Sequence, residues 1–153
     1  MRQGREDEGE ISLIERPIVL GIVVGEFNNT FTNAMLDFAL EEAKNEKAVV
    51  HSIIRVPGVF EIPLGVKKLL CEKKIDAVVT LGYVKKGETM HDRIIAKSAV
   101  QKIMELSLQN NKPISLGIIT IADEKQAEER KKDYAQRAVR AAVKMVKSFT
   151  EYL

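Results

Sequence analysis

The chain has no tryptophan and one cysteine, Cys71, in 153 residues. A single thiol cannot build an intrachain disulfide framework and suits a reducing compartment; the expectation is a buried, inert side chain rather than a nucleophile. Aromatic residues make up only 5% of the chain, too few for a nucleic-acid stacking platform. Neither sign of charge dominates: 24 Lys and Arg against 22 Asp and Glu leave a net +2, with no like-charged run long enough to form a basic arm. Nucleic acid is therefore not an expected partner. No apolar run approaches the ~18 residues of a membrane span, and the charged start, Arg2 to Glu10, lacks the apolar region of a signal peptide. A cytoplasmic protein without a membrane partner is expected. There is no nucleophile elbow of the hydrolase type, no zinc spacing and no internal repeat, and Gly21 and Gly25 do not form a dinucleotide fingerprint.

What is present is an alternation. Residues 1–16 divide into a polar stretch, Met1 to Glu10, expected to be a mobile tail, and a short apolar one, Ile11 to Ile14, ahead of Pro17. The second suits an edge strand that needs a partner outside its own domain, such as a neighbouring subunit. From 17 to 153 one domain is expected, long enough to bury a core. The apolar runs Ile18–Val24, Ala48–Val56, Ala77–Leu81 and Ile114–Ile121 read as strands, and the first, apolar throughout except at Gly21, as one buried on both faces. Between and after them, apolar residues recur at helical spacing. Met35, Leu36, Ala39 and Ala43 mark a helix from Thr32 to about Asn45, and Val66, Leu69 and Leu70 one near Pro63. Ile95, Ala99, Ile103 and Leu106 mark a third, and Ala138, Ala142, Met145 and Phe149 a last one after Asp123. Four successive strand–helix units imply an α/β fold, a three-layer sandwich with a four-stranded parallel flavodoxin-like sheet and right-handed crossovers.

In such a sheet ligands bind beyond the carboxyl ends of the strands. The stretch Gly82 to Asp92 occupies that position, leading from the third strand to the third helix. Thr89 and Asp92 have the spacing of a capping box, so Thr89 is the expected N-cap, with free N–H groups nearby suited to phosphate. His91 would sit in the first turn, where the helix dipole disfavours imidazolium and leaves a ring able to accept a proton. A plain cap and a surface histidine fit these residues equally well. Phe27 falls in a polar loop after the first strand, where its ring can stack on a planar ligand or pack on the sheet edge. Glu61 follows the Pro57-Gly58 turn at a helix start, where it can complement the dipole or bind hydroxyls. Arg130, amid Glu128, Glu129, Lys131 and Lys132, is in isolation a solvated charge.

Four segments in order and at matching spacing resemble the lumazine synthase family. They are Glu26-Phe27-Asn28, Val56-Pro57-Gly58-Val59-Phe60-Glu61-Ile62-Pro63, Gly87-Glu88-Thr89-Met90-His91, and Gln126-Ala127-Glu128-Glu129-Arg130. The resemblance runs from about Val19 to Phe149. It implies condensation of 5-amino-6-ribitylamino-pyrimidinedione with 3,4-dihydroxy-2-butanone 4-phosphate, without metal or organic cofactor. By the same resemblance Phe27 stacks on the pyrimidinedione, while Glu61, Phe60 and Val59 hold the ribityl hydroxyls. Asn28, Tyr83, Val84 and Leu116 also contact substrate, with the Leu116 segment coming from an adjacent subunit. Gly87, Glu88, Thr89 and Arg130 take the phosphate, and His91 is catalytic. The implied assembly is a homopentamer or a sixty-subunit shell of pentamers. Two features depart from many members. Asp92-Arg93 follow the histidine where an aromatic and then an acidic residue are common, and the segment after Arg130 lacks a glycine-rich, lysine-containing turn; both look more like archaeal members. The rival readings are an archaeal-type riboflavin synthase, which lacks the Gly-Glu-Thr-x-His loop, a non-catalytic flavin-binding module, and a shell protein of the same fold.

Overall fold

The computed structural model describes residues 16–87 and 90–151. The expected edge strand Ile11–Ile14 lies outside them, as do Glu88 and Thr89. Four parallel strands, β1 (Val19–Gly25), β2 (Val49–Val56), β3 (Ala77–Lys85) and β4 (Ile114–Ile121), form one sheet in the order β2-β1-β3-β4. The helices are α1 (Asn29–Asn45), α2 (Ile62–Leu70), α3 (His91–Asn110) and α4 (Glu124–Thr150). One core packs α1 and α4 on Leu20, Ile22, Val24, Val79 and Leu81. The other packs α2 and α3 on Val23, Val78, Val84 and Ile118. The expected three-layer α/β sandwich is thus the observed one. Central β1 and β3 are covered on both faces, which is why their sequences are unbroken apolar runs. Edge strand β2 instead alternates exposed and half-buried residues, with His51 exposed.

Several boundaries differ from the sequence expectation, each for a local reason. β3 does not stop at Leu81 but runs to Lys85, because Gly82 to Lys85 stay in register with Ile118 to Ile121 of β4. α1 begins at Asn29 rather than Thr32: Asn28 adopts a left-handed conformation (φ 59°), which asparagine tolerates, and its carbonyl accepts from the Phe31 and Thr32 N–H groups. The cap of α3 falls on Met90, one residue past Thr89. Cys71 is exposed rather than buried, because it stands one residue beyond α2 at its carboxyl end. The cap expected at Asp123 is present: its Oδ1 accepts from the Lys125 N–H at 2.9 Å and the Gln126 N–H at 3.4 Å.

The amino end of the sheet is tied by Asp76. Both of its oxygens accept from the Arg16 guanidinium, at 2.8 and 2.9 Å, and Oδ2 also accepts from the Val19 N–H at 2.8 Å. Burial alone would raise the pKa of this carboxyl. The Arg16 and Val19 bonds and the charges of Arg16 and Lys112 outweigh burial, so the net shift is downward. A depressed carboxyl contributes stability that is present above its unfolded value, about 3.9, and lost as pH falls through the lower folded value. Asp76→Asn is therefore expected to cost about 1–3 kcal/mol at pH 7, with the difference from wild type shrinking below pH 4. Urea unfolding of both proteins across that range checks it; an undiminished gap at the acid end would show that the carboxylate charge is not responsible.

Candidate functional site

Main-chain bonds continue past the ends of β1 and β2 and join two of the four sequence segments. The Glu26 N–H donates to the Val56 carbonyl at 2.7 Å and the Phe27 N–H to the Pro57 carbonyl at 2.9 Å. Phe27 itself is 64% exposed, so burial does not account for a large ring at this place. Beyond Pro57-Gly58 the chain makes a short 3₁₀ turn, Val59–Glu61, closed by the Glu61 N–H donating to the Gly58 carbonyl, and then enters α2. A Cβ on Gly58 would lie 3.4 Å from Glu61 Oε2 and 4.0 Å from Phe27 Cβ. The Glu61 carboxylate and the root of the Phe27 side chain therefore flank the same bare stretch of backbone. Phe60, 68% exposed, stands beside them in sequence.

The end of β3, which leads toward the Gly87–His91 segment, is drawn in through Val59. Its side chain is buried on β3, where a Cβ at Gly82 would stand 2.9 Å from Val59 Cγ2 and 3.2 Å from Ile62 Cδ1. Val84 is buried in the α2–α3 layer. Tyr83 points the other way and is 3% exposed, its ring 4.5 Å from that of Phe31 at a 32° tilt, so only its main chain belongs to the strand end that faces the site. Among the described residues the Tyr83 hydroxyl has no hydrogen-bond partner. Burial pushes this phenol's pKa up, and the Glu124 charge adds to the rise. After β3, the Lys85 ammonium pairs with Glu124 at 2.6 Å, an exposed contact that raises the Lys85 pKa and links the strand to the start of α4. The Gly87 N–H donates to Asp92 Oδ2 at 2.9 Å. His91 opens α3 on the surface, next to exposed Met90.

Arg130 and Leu116 are not brought to this cluster. Arg130 is exposed in the second turn of α4, in the layer across the sheet from α3 and His91. Beside it Lys131 pairs with Glu128 and lies 5.5 Å from the Phe31 ring centroid. Leu116, 45% exposed on edge strand β4, lines a shallow groove of about 330 Å³ with Tyr134, Arg137, Ala138 and Ala141. A larger groove, about 1060 Å³, lies at the opposite end of the sheet among Arg16, Asp76, Lys112 and Phe149, and shares no residue with the segments above. Within one chain the candidate site is an open ledge built by Phe27, Asn28, Val59–Glu61 and the end of β3, with α3, which begins at His91, packed on the Val59–Glu61 turn. Sequence reasoning passed over Asp92 as a brace: its contact to Gly87 spans five residues backward, and the capping-box spacing pointed to Thr89 instead.

The family profile described as 6,7-dimethyl-8-ribityllumazine synthase matches residues 17–150. Curated relatives carrying that name include one from Saccharolobus islandicus, 54% identical over 133 residues that cover 86% of each chain. One from Metallosphaera sedula is 53% identical over 131 residues, 85% of this chain and 87% of the relative. One from Archaeoglobus fulgidus is 48% identical over 135 residues, 88% of this chain and 94% of the relative.

A side chain kept for a ligand should cost the fold little when it is removed. Phe27→Ala is expected to change unfolding free energy by less than about 0.5 kcal/mol, the ordinary range for an exposed position, whereas a buried aromatic would cost about 3–5 kcal/mol. Chemical denaturation of the variant decides between the two.

Proposed function

The chain belongs to the 6,7-dimethyl-8-ribityllumazine synthase family, and from that premise we propose that it condenses 5-amino-6-ribitylamino-pyrimidinedione with 3,4-dihydroxy-2-butanone 4-phosphate. The products are 6,7-dimethyl-8-ribityllumazine, inorganic phosphate and water, and the step belongs to riboflavin biosynthesis in the cytoplasm. The observation that carries this reading is the meeting of three separate segments at one strand-end ledge: Phe27 and the Glu61 carboxylate flank Gly58, while Val59 seats the same turn on Gly82.

The exposed Phe27 ring offers a face for the planar pyrimidinedione, with Asn28 next to it in sequence and the main chain of Tyr83 and Val84 at the end of β3, the strand paired with β1. Glu61 and the main-chain groups of Val59 and Phe60 suit the ribityl hydroxyls. Gly87, Glu88 and Thr89 lead into the helix that starts at His91, where an anion is favoured. The reaction requires attack of the amine on the carbonyl, loss of phosphate and ring closure, and each stage moves a proton that an imidazole at His91 can relay. Arg130 supplies a planar fork for the phosphate.

Because the sheet stands between Arg130 and His91, Arg130 and Leu116 act in the site of an adjacent copy, and the working form is a homo-oligomer, a pentamer or a shell of pentamers. Exposed Phe60, Leu64, Ile94, Met104 and Leu108 on the α2–α3 layer supply apolar surface for such contacts. Low-resolution sizing of the particle tests the assembly directly.

Mixing the protein with both substrates and following lumazine fluorescence tests the reaction. His91→Ala is expected to lower turnover by about 10²–10⁴ while leaving the KM for the butanone phosphate largely intact. Arg130→Ala should raise that KM by roughly one to two orders of magnitude, with Arg130→Lys restoring it only in part. An unchanged KM in Arg130→Ala would remove the arginine from the phosphate site. Co-assembly of the two alanine variants should regain activity at limiting phosphate substrate, since interfaces pairing an intact His91 with an intact Arg130 re-form only if the residues come from different chains. No recovery in verified mixed particles would place them in one chain.

A further inference from the structure

We infer that Asp92 is a positioning residue for phosphate recognition: its carboxylate braces Gly87 against the first turn of α3, the turn that carries His91. The inference rests on the reading of the Gly87–His91 segment as the phosphate-handling part of the site. Asp92 Oδ2 accepts from the Gly87 N–H at 2.9 Å, a contact reaching five residues back along the chain. Among the described residues the same oxygen is the one heavy atom beyond the chain neighbours within 4 Å of where a Gly87 Cβ would stand, 2.8 Å away. Gly87 does not have positive φ. The glycine is thus required for room beside the carboxylate and not for an unusual backbone conformation. Met90, the cap residue of α3, contributes no side-chain acceptor to the helix start, and Asp92 is the acidic residue of that first turn. Among the described residues Asp92 forms no ion pair that would hold it elsewhere.

This contact has two opposed consequences for an anion. An N–H already donating to a carboxylate is not free for phosphate, and a negative charge beside the site repels a dianion. Against this, the brace fixes the Gly87 main chain relative to α3 before the ligand arrives, which lowers the ordering cost of binding. Asparagine separates the two effects, because its side-chain oxygen keeps the acceptor while the charge is lost. Alanine removes both. Gly87→Ala displaces the carboxylate without altering it, at small cost, since the crowded atom is the free end of a side chain.

If bracing dominates, Asp92→Ala raises the KM for the butanone phosphate about tenfold, the effect of one charge-assisted hydrogen bond, and leaves the KM for the pyrimidinedione within about twofold. Asp92→Asn holds the phosphate-substrate KM at or below that of wild type. Gly87→Ala resembles Asp92→Ala, and the double variant is no worse than either, because both remove one contact. The inference is overturned if Asn is as impaired as Ala, if Ala leaves the phosphate KM unchanged, or if the Gly87→Ala and Asp92→Ala losses add. Calorimetric titration of each protein with inorganic phosphate gives a readout independent of turnover. Should wild type form no lumazine while the phosphate affinities keep the order Asn at least equal to wild type and both above Ala, the reaction assignment fails and the brace stands. Should lumazine form normally with identical phosphate affinities throughout, the reaction stands and the brace fails.

Discussion

The seating of Val59 on Gly82 is the contact on which the site depends. A methyl group of Val59 occupies the space a side chain on β3 would need, and Ile62 Cδ1 lies against the same point. That close approach fixes where α2 begins, hence where Glu61 sits, and brings the Pro57–Glu61 turn over the central strands. The Glu26 and Phe27 N–H groups then bind the carbonyls just ahead of Gly58, so the first loop follows the second. Any larger residue at position 82 would lift the turn off the sheet and separate segments that are distant in sequence. Because interiors are close-packed, such a shift propagates instead of being absorbed locally.

Much of this was legible in the chain. The limits of β4, Ile114 and Ile121, are those of an apolar run bounded by Pro113 and by the Asp123 cap. In the sequence β3 ends at Leu81, because Gly82 and the lysines after Val84 look like loop; pairing with β4 keeps the strand extended to Lys85. Helix starts were the weak point. Asn28 carries its turn through a left-handed backbone that no periodicity reveals, and Asp92 satisfies a donor behind the helix rather than within it. Phe27 and Glu61 could be picked out one at a time, but that they flank one glycine is a tertiary fact. Cys71 was expected to be buried because free cysteine usually is; a position one residue past a helix end overrode the preference.

The separation of His91 and Arg130 into opposite layers could not be read from spacing. It follows from crossover direction: the helix after β1 turns to one side of the sheet, the helix after β3 to the other, and α4 returns to the first side. The divergence of the β1 and β3 connections opens the ledge between them, the usual place for ligands in open parallel sheets. The topology that creates this opening also leaves Arg130 in the other layer.

Cys71 has one practical consequence. It is the only thiol in the chain and is exposed just past the end of α2, about 15 Å of helical rise from Glu61 at the other end. A maleimide dye would mark every copy once, at the amino end of the sheet, so the number of dyes per particle would count its chains without touching the ledge.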